Sequence, residues 1–264
     1  MQLGNIHVDA VLDGTSTFAA TELLVRPGYE GDPWAEHEGM LTAEGLLELP
    51  VGSFLVRTGD RVVLVDAGLG TLNAGPHRGG RLLDNLAAIG VRPEDVTDVV
   101  LSHLHFDHVG WTTSKGRIVF GNATYRCHEE DWAHFVTAPD AEPGAVRKLS
   151  PLEGQLELFT DGATLAPGVD ARSAPGHTPG STIVVLSSGT QRAMLLGDAV
   201  HCPFELTEND WEAVFDVDRE LARRTREALA RELEGSDVLL GAPHFPGLEF
   251  GRLLAGEGRS RIFA

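Results

Sequence analysis

Cysteine is scarce in this chain, with only Cys127 and Cys202 among 264 residues. Two cysteines cannot provide a disulfide framework, so disulfides are not what organises the fold. Cys127 ends an alternating segment that begins at Ala123, and it is expected to be a small buried side chain. Cys202 stands close to Asp198 in the sequence, and a role in metal binding stays open for it.

Basic residues are also few, since 21 Lys and Arg stand against 39 Asp and Glu, which gives a formal net charge of −18. An acidic surface repels phosphates, and no cluster of Lys and Arg is present, so no nucleic-acid partner is expected. Long apolar runs are missing, and no membrane-spanning helix or membrane partner is predicted. The N-terminus lacks a basic stretch followed by an apolar core, so no signal peptide is predicted. We therefore expect a soluble, cytoplasmic protein.

The overall composition is that of a globular protein, with 42% hydrophobic and 23% charged residues. No segment resembles a linker or an internal repeat, so residues 1–264 are predicted to form a single domain. Strands are predicted at 5–13, 52–57, 61–66, 98–101, 118–120, 124–127, 169–173, 182–186, 193–196 and 237–240, and helices at 82–89, 129–136 and 218–233.

Residues able to bind a metal are concentrated between Ser102 and Gly110, directly after the apolar run that ends at Leu101. This run is typical of a buried strand, so the cluster is expected where a strand ends in a loop and a helix begins. The four candidates in this cluster are His103, His105, Asp107 and His108, and three more in Gly- and Pro-rich loops are His177, Asp198 and His244. Five imidazoles and two carboxylates are the right kind and number of ligands for two divalent metal ions.

This ordered set of ligands resembles the metallo-β-lactamase superfamily, over a region from about Leu49 to His244. The resemblance implies an α/β fold, the αββα sandwich of two mixed sheets flanked by helices, with the metals at one edge of the sheets. It implies that His103, His105 and His177 hold one metal, that Asp107, His108 and His244 hold the second, and that Asp198 bridges them. Zinc is the expected metal at both positions, with iron or manganese as alternatives.

The spacing of the cluster supports this division of ligands. In an extended segment alternate side chains point the same way, so His103 and His105 can face one ion. Asp107 and His108 are expected after the chain has turned into a helix, where they can face a neighbouring point. Leu104 and Phe106 should then face away and be buried beneath the site.

Two metals in this arrangement imply hydrolytic chemistry. Divalent ions about 3.5–4 Å apart can share one water and lower its pKa to about 7, which makes a bridging hydroxide available at neutral pH. Asp107 is predicted to be catalytic as well as a ligand, since it can pass a proton from that water to the leaving group. In the resembled family Asp66 is not a ligand, and it is expected to accept a backbone N–H or the N–H of a ligand His.

His201 stands where several lactonases of the superfamily carry a Tyr that hydrogen-bonds the substrate carbonyl, and there the chain is more similar to the methyl parathion hydrolase branch. A neutral imidazole can donate to a carbonyl or phosphoryl oxygen, so His201 is predicted to be catalytic and to bind substrate. Orienting a ligand carboxylate is its alternative role. Phe204, Leu206 and Trp211 are predicted to line an apolar pocket over the metals, with packing under the final helices as their alternative. Phe215 is expected to pack under the final helices instead.

The segment Thr15 to Met40 carries aromatic residues in a polar loop, which is typical of a lid over a pocket or of a dimer contact. Packing on its own domain is the third alternative, and a homodimer is the only protein partner that the sequence suggests. The predicted function is a two-metal hydrolase of small esters or lactones, with phosphotriesters as side substrates. The alternatives are a glyoxalase II-like thioesterase, whose C-terminal domain the residues after His244 are too few to form, and an iron-dependent oxidoreductase of the persulfide dioxygenase type.

Overall fold

Two mixed β-sheets form the centre of the computed structural model, which describes residues 1–256 and so leaves the last part of the expected domain, 257–264, outside. The strands are β1 (Gln2–Leu3), β2 (Ile6–Ala19), β3 (Leu24–Val25), β4 (Leu46–Thr58), β5 (Arg61–Val65), β6 (Asn73–Ala74), β7 (His77–Arg78), β8 (Asp98–Val100), β9 (Thr113–Ser114), β10 (Arg117–Ile118), β11 (Thr124–His128), β12 (Leu156–Phe159), β13 (Thr164–Ala166), β14 (Val169–Ser173), β15 (Thr182–Ser188), β16 (Gln191–Leu195), β17 (Glu212–Ala213) and β18 (Leu239–Gly241). The helices are α1 (Ala20–Leu23), α2 (Leu82–Ala88), α3 (Glu129–Trp132), α4 (Pro143–Leu149) and α5 (Arg219–Leu233).

The larger sheet has nine strands in the order β12-β11-β8-β5-β4-β2-β7-β6, with β1 paired to β2. The smaller sheet has five strands in the order β13-β14-β15-β16-β18. In the larger sheet β8 runs parallel to β5 and β11, and in the smaller sheet β16 runs parallel to β18. The other pairs between β2, β4 and β5 and between β13 and β16 are antiparallel, so both sheets are mixed as expected.

The alternation of side chains along β5 separates the two faces of the larger sheet. Leu64 packs with Leu82 of α2 on the outer face, in a cluster that also takes in residues of α3 and α4. Val65 points the other way and packs with Val184 of the smaller sheet, which makes the layer between the sheets. The core therefore has a helix layer on one side of this sheet and a second sheet on the other.

The outer face of the smaller sheet is covered by the longest helix, α5. Ile183 of β15 alternates with Val184 and packs with Leu229 and Leu233 of α5. Each side chain of this size that becomes fully buried contributes about 1.5–3 kcal/mol. The four layers, helix, sheet, sheet and helix, confirm the predicted αββα sandwich. No helix within residues 1–256 has the length and apolarity that crossing a bilayer requires.

The segment Thr15 to Met40 is more ordered than its loop-like composition predicts. It completes β2, forms α1 and β3, and ends in a 3-10 turn at Ala35–Met40. β3 pairs with β17, and Trp34 is 4% exposed in a cluster with Phe204 and Trp211 of the same chain. The segment thus packs on its own domain, and it brings Phe18 and Leu23 to the wall of a cavity described below.

Candidate metal centre

The seven predicted ligands meet at one edge of the two sheets, because each stands in a loop that follows a strand. The cluster from His103 to His108 follows β8, Asp198 follows β16 and His244 follows β18, while His177 lies in the loop between β14 and β15. A backbone hydrogen bond of 2.9 Å from Thr182 N–H to the carbonyl of Ser102 joins the two sheets directly at this edge. Residues far apart in the sequence are therefore fixed against one another by the backbone.

The loop after β8 does not continue into a helix, so this part of the prediction is wrong. The backbone N–H of His108 donates to the carbonyl of His105 at 3.1 Å, which closes a single turn. Leu104, before the turn, is buried as predicted, at 2% exposed. Phe106 lies within the turn and is 51% exposed, so the prediction that it is buried beneath the site is wrong. The rule of alternate side chains fails there because the chain is no longer extended.

Three imidazole nitrogens converge in the first ligand group. His105 Nδ1 lies 3.1 Å from His103 Nε2 and 2.9 Å from His177 Nε2. Two nitrogen ligands of one tetrahedral zinc ion lie about 3.3 Å apart, given Zn–N distances of about 2.0–2.1 Å. This group therefore has the spacing that one metal ion requires.

The second ligand group consists of Asp107, His108 and His244. Oδ2 of Asp107 lies 3.6 Å from His244 Nε2, and its Oδ1 lies 3.9 Å from His108 Nε2. The three potential donor atoms lie within 4.8 Å of one another. This spacing is wider than in the first group but still within reach of a single ion.

Asp198 stands between the two groups, and each of its oxygens faces a different one. Oδ1 lies 3.2 Å from His108 Nε2 and 3.3 Å from His244 Nε2. Oδ2 lies 3.4 Å from His177 Nε2 and 3.7 Å from His103 Nε2. His108 Nε2 and Asp198 Oδ1 are both buried without a hydrogen-bond partner in the described chain. Buried polar atoms without a partner are rare in folded proteins, and these two are oriented as ligands of a cation would be.

Burial keeps two imidazoles of the first group neutral, which is the form that binds a metal. Desolvation, reinforced by the neighbouring histidines, lowers the pKa of His103 well below its usual value. The same causes lower the pKa of His105 to about 3. Both rings are therefore neutral at neutral pH, and a neutral imidazole is the form that binds a metal.

The second group has an excess of negative charge that a cation would complement. Burial disfavours a charged His108, but the charges of Asp198, Asp66 and Asp107 outweigh this effect and raise its pKa well above the usual value. Burial likewise opposes ionisation of Asp198, and the surrounding histidines, led by His108 and His244, nevertheless lower its pKa well below the usual value. A carboxylate-rich, buried point that stabilises positive charge fits a divalent ion.

Asp66 holds the second group from behind, as predicted. Its Oδ1 accepts the backbone N–H of Ser102 at 2.8 Å, and its Oδ2 accepts the Ser102 hydroxyl at 2.8 Å. Oδ2 also lies 2.9 Å from His108 Nδ1, so the opposite nitrogen, Nε2, is the one presented to the site. Asp66 has a φ of 63°, a left-handed conformation that non-glycine residues seldom adopt.

Asp131 supports the first group in a similar way, although it was not predicted from the sequence. Its Oδ2 accepts the backbone N–H of Leu104 at 3.1 Å and the hydroxyl of Thr178 at 3.0 Å. Its Oδ1 accepts the backbone N–H of Gly180 at 2.6 Å. Leu104 lies between His103 and His105 in the sequence, and Thr178 follows His177. One buried carboxylate therefore ties together the two loops that supply the first group.

Two further contacts fix the orientation of single ligands. His177 Nδ1 lies 2.9 Å from Oδ1 of Asp216, and His244 Nδ1 lies 2.8 Å from the carbonyl oxygen of Pro50. In each ring the partner holds Nδ1, so Nε2 points to the site. Asp216 is another supporting residue that was not predicted from the sequence.

His201 lies at the margin of the ligand groups. Its Nε2 lies 3.4 Å from Oδ2 of Asp198, and its ring stacks on that of His244 with centroids 6.0 Å apart. The backbone N–H of His201 donates to Glu205 Oε2 at 2.7 Å. Burial alone would lower the pKa of His201, but Asp198 and Glu205 raise it to about 10. The geometry is compatible with the predicted role as a donor and with the alternative role of orienting Asp198.

A cavity of about 300 Å³ opens above the two ligand groups. The residues that line it are Ser16, Phe18, Leu23, Leu49, His77, His105, Phe106, Asp107, His177, Asp198, His201, Phe215 and His244. Its wall is mainly apolar and includes Phe18, Leu23, Leu49, Phe106 and Phe215. Its floor consists of ligand residues together with His201. Asp107 and His201 both reach this cavity from the floor.

Phe204, Leu206 and Trp211 do not reach the cavity, so their prediction as its lining is wrong. Trp211 is fully buried, with its indole N–H donating to Glu208 at 2.9 Å and its ring 5.1 Å from that of Trp34. Phe204 belongs to the same buried cluster, and Leu206 is buried among residues of the smaller sheet and α5.

The remaining predictions concern Phe215 and the two cysteines. Phe215, expected in the core, is instead 54% exposed and lines the cavity, because a turn closed by Asp216 N–H to the carbonyl of Ala213 directs it outward. Cys127 is buried as predicted. Cys202 is also buried, and its thiol is not part of any metal-compatible group in residues 1–256.

Comparison with known proteins adds the family and the fold. The model of the metallo-beta-lactamase superfamily matches residues 47–235. An N-acyl homoserine lactonase from a Bacillus species is 28% identical over 216 residues, which cover 73% of this chain and 81% of the relative. The solved structure of AidC, a dizinc quorum-quenching lactonase, has a TM-score of 0.86 at 24% identity and covers 97% of this chain and 93% of its own. A probable metal-dependent hydrolase from Staphylococcus aureus has a TM-score of 0.84 at 21% identity, with coverage of 100% and 97%.

Proposed function

The chain belongs to the metallo-beta-lactamase superfamily, and from this premise we propose that it is a two-metal hydrolase of lactones or esters. The observation that carries the proposal is the position of Asp198, whose two oxygens face two separate groups of ligands. A carboxylate that served one ion would not need a second group of buried nitrogens on its other side. The names of the lactonase relatives support the same class of substrate.

The proposal assigns His103, His105 and His177 to one metal, Asp107, His108 and His244 to the other, and Asp198 to both. Zinc is the proposed metal, because histidine and carboxylate ligands in a site open to a cavity suit it. When bound, two such ions supply an acidic water, with a pKa of about 7, and polarise the carbonyl oxygen of the substrate. The remaining steps depend on side chains of the chain itself.

Asp107 is the proposed carrier of the proton. Its side chain is 16% exposed and lines the cavity, whereas that of Asp198 is 5% exposed and is surrounded by histidines. Asp107 therefore has access to the attacking water on one side and to the leaving oxygen of the substrate on the other. A positioned carboxylate of this kind contributes about 10²–10⁴-fold to the rate.

His201 is the proposed donor to the oxygen on which negative charge develops. It lines the cavity next to Asp198, and its ring is held by contacts with both Asp198 and His244. A donor that is already oriented stabilises the transition state more than the ground state. His201 would thus act on turnover rather than on metal binding.

The lining of the cavity favours the binding of uncharged substrates over that of charged thioesters or nucleotides. Phe18, Leu23, Leu49 and Phe215 give it an apolar wall, and no Lys or Arg lines it among the described residues. An apolar wall binds the hydrocarbon part of an ester or lactone, while the polar floor meets its carbonyl. Phosphotriesters are the proposed side substrates, because they are also uncharged and their phosphorus is electrophilic, as the carbonyl carbon of an ester or lactone is.

The test combines metal analysis with a substrate panel. Protein purified without chelators should contain about two equivalents of metal, and it should hydrolyse lactones or aryl esters faster than a glutathione thioester. A paraoxon-like phosphotriester measures the side activity. One iron per chain together with oxidation of a persulfide would refute the proposal and favour the dioxygenase alternative.

His201→Ala tests the donor within the same panel. Loss of such a donor typically costs about 2.7–4 kcal/mol, so kcat should fall by about 10²–10³-fold while both metals stay bound. His201→Tyr should recover part of the lactone activity, since a phenol can donate to the same oxygen. His7→Ala is a matched control, because His7 lies in β2 with 44% of its side chain exposed. Loss of a metal from His201→Ala would place this side chain in the ligand set instead.

A further inference from the structure

Arg226 is a buried arginine of α5 that the proposed reaction does not use. It is 1% exposed, whereas the other arginines of this helix are at least partly exposed. Its guanidinium lies between two buried carboxylates, with Nη1 3.4 Å from Oδ2 of Asp216 and Nε 3.8 Å from Oε1 of Glu205. Nη2 also donates to the carbonyl of Trp211 at 2.9 Å. Because a buried carboxylate without a partner is strongly destabilising, this one guanidinium stabilises both of them.

Asp216 connects Arg226 to the first ligand group. Oδ1 of Asp216 lies 2.9 Å from His177 Nδ1, while its Oδ2 accepts from Arg226. A guanidinium is a planar and rigid donor, so it fixes the plane of the carboxylate that it contacts. The direction in which His177 presents Nε2 to the site therefore depends on Arg226 through one intervening side chain.

Glu205 connects the same guanidinium to His201. Oε2 of Glu205 accepts the backbone N–H groups of His201 and Cys202, each at 2.7 Å. Oε1 is buried without a hydrogen-bond partner in the described chain, and it faces the positive charge of Arg226. The turn that places His201 beside the ligands is therefore held by a carboxylate that Arg226 stabilises.

The helix that carries Arg226 packs directly on the loop that carries His177. The backbone N–H of Asp218, the residue before α5, donates to the carbonyl of Gly176 at 2.9 Å. A Cβ atom at Gly176 would lie only 2.3 Å from the backbone nitrogen of Ala222, so the loop and the helix are in close backbone contact. Arg226 follows Ala222 by four residues and so lies on the same face of α5. The position of the guanidinium relative to His177 is therefore set by the helix.

From this geometry we infer that Arg226 is a positioning residue that couples the first ligand group to His201. Through Asp216 it orients His177 for a metal ion, and through Glu205 it holds the proposed donor in place. The inference rests on the proposed two-metal function and adds to it a residue that does not line the cavity. A residue that only anchored α5 would affect stability, whereas this one also affects metal binding and turnover.

The experiment compares two variants of Arg226 with a control on the same helix. Arg226→Met keeps an apolar stem and removes the charge, whereas Arg226→Lys keeps the charge without the planar fork. Leu229→Ala is the matched control, because Leu229 is 1% exposed and belongs to the apolar cluster between α5 and the smaller sheet. Stability is measured by urea unfolding, zinc affinity by titration against a competing chelator, and kcat on a lactone at saturating zinc. Asp216→Asn identifies the binding step that belongs to the first group.

Arg226→Met should weaken zinc binding by about 10–100-fold, in the same step that Asp216→Asn weakens. At saturating zinc its kcat should still be lower by roughly ten- to hundredfold, because the donor is displaced from the substrate oxygen. KM should change little, since the donor acts mainly in the transition state. Arg226→Lys should give intermediate values of both zinc affinity and kcat. Leu229→Ala should lose stability and keep the zinc affinity and the kcat of the wild type.

Two results would overturn the inference and leave the proposed function intact. One is a wild-type zinc affinity or a wild-type kcat in Arg226→Met, and the other is an equal loss of both in Leu229→Ala, which would indicate a purely structural role. If Arg226→Met does not fold, Arg226→Lys decides, because wild-type values in that variant would show that the guanidinium is not required. A wild type that binds no zinc in the step assigned to the first group would instead overturn the proposed function, and the inference with it.

Discussion

The floor and the wall of the cavity are built on different principles. Five of the seven ligands on the floor are buried, and hydrogen bonds to Asp66, Asp131 and Asp216 hold the ligands or their loops in place. The wall presents half-exposed rings, with Phe106 at 51% and Phe215 at 54% exposed. The floor is thus held by hydrogen bonds within the chain, whereas these two rings of the wall are half exposed. From this contrast we expect the chemistry to depend on the floor and the choice of substrate to depend on the wall.

The largest expected effect on stability lies behind the wall, at Trp211. Its side chain is fully buried against Trp34 and Phe204, so Trp211→Ala should lower the free energy of unfolding by about 3–5 kcal/mol. Urea unfolding of the metal-free protein measures this loss. Phe215→Ala, at the exposed face of the same wall, should change stability by less than about 0.5 kcal/mol. Equal losses in the two variants would contradict the distinction between the exposed wall and its buried support.

The largest expected effect on turnover lies on the floor, at Asp198. An amide in place of this carboxylate removes the charge shared by the two ligand groups, so Asp198→Asn should reduce turnover on the order of a hundredfold or more. Metal analysis and turnover on a lactone are measured together, with Asp140→Asn at an exposed position as the control. Two bound metals and near-normal turnover in Asp198→Asn would show that Asp198 does not connect the two groups.

The next largest expected effect is on metal binding, and it distinguishes the first ligand group from the second. Asp131 supports the loops of His103, His105 and His177, whereas Asp66 contacts His108. Asp131→Asn should therefore weaken metal binding at the first group and Asp66→Asn at the second, each by about 10–100-fold. Titration against a competing chelator resolves the two binding steps. If both variants weaken the same step, the supports are not specific to their groups.

The floor was largely predictable from the sequence, because metal chemistry restricts ligands to a few residue types and because each ligand follows a strand. The supporting carboxylates were not predictable. Asp131 follows Glu129 and Glu130 in the first turn of α3, where acidic residues are common for reasons of the helix dipole alone. No property of the sequence distinguishes the buried Asp131 from its exposed neighbours. Only the meeting of two distant loops gives Asp131 its role.

The wall was predicted poorly, because its side chains are placed by turns rather than by strands. Phe106 was expected to be buried because alternation was extended into a turn, where it no longer applies. Trp211 was expected to line the cavity and is buried, whereas Phe215 was expected to be buried and lines the cavity. The short strand β17 and the turn after it direct the two side chains to opposite sides. Ser16 and His77 were not identified at all, because their pairing depends on the register between β2 and β7.

The smallest expected effect concerns the exposed face of the wall, and it tests whether that face selects substrates. Phe215 lines the cavity and is half exposed, so it should contribute about 1 kcal/mol to binding an apolar chain, a factor of about five. Phe215→Ala should raise KM for a long-chain lactone by this factor and leave that for a short-chain lactone unchanged, with kcat unaffected in both. Val217→Ala is a close control, because Val217 is 53% exposed but does not line the cavity. If KM rises equally for both chain lengths, or rises as much in Val217→Ala, Phe215 does not contact the hydrocarbon chain of the substrate. Substrate choice must then depend on the buried apolar residues of the wall, Leu23 and Leu49.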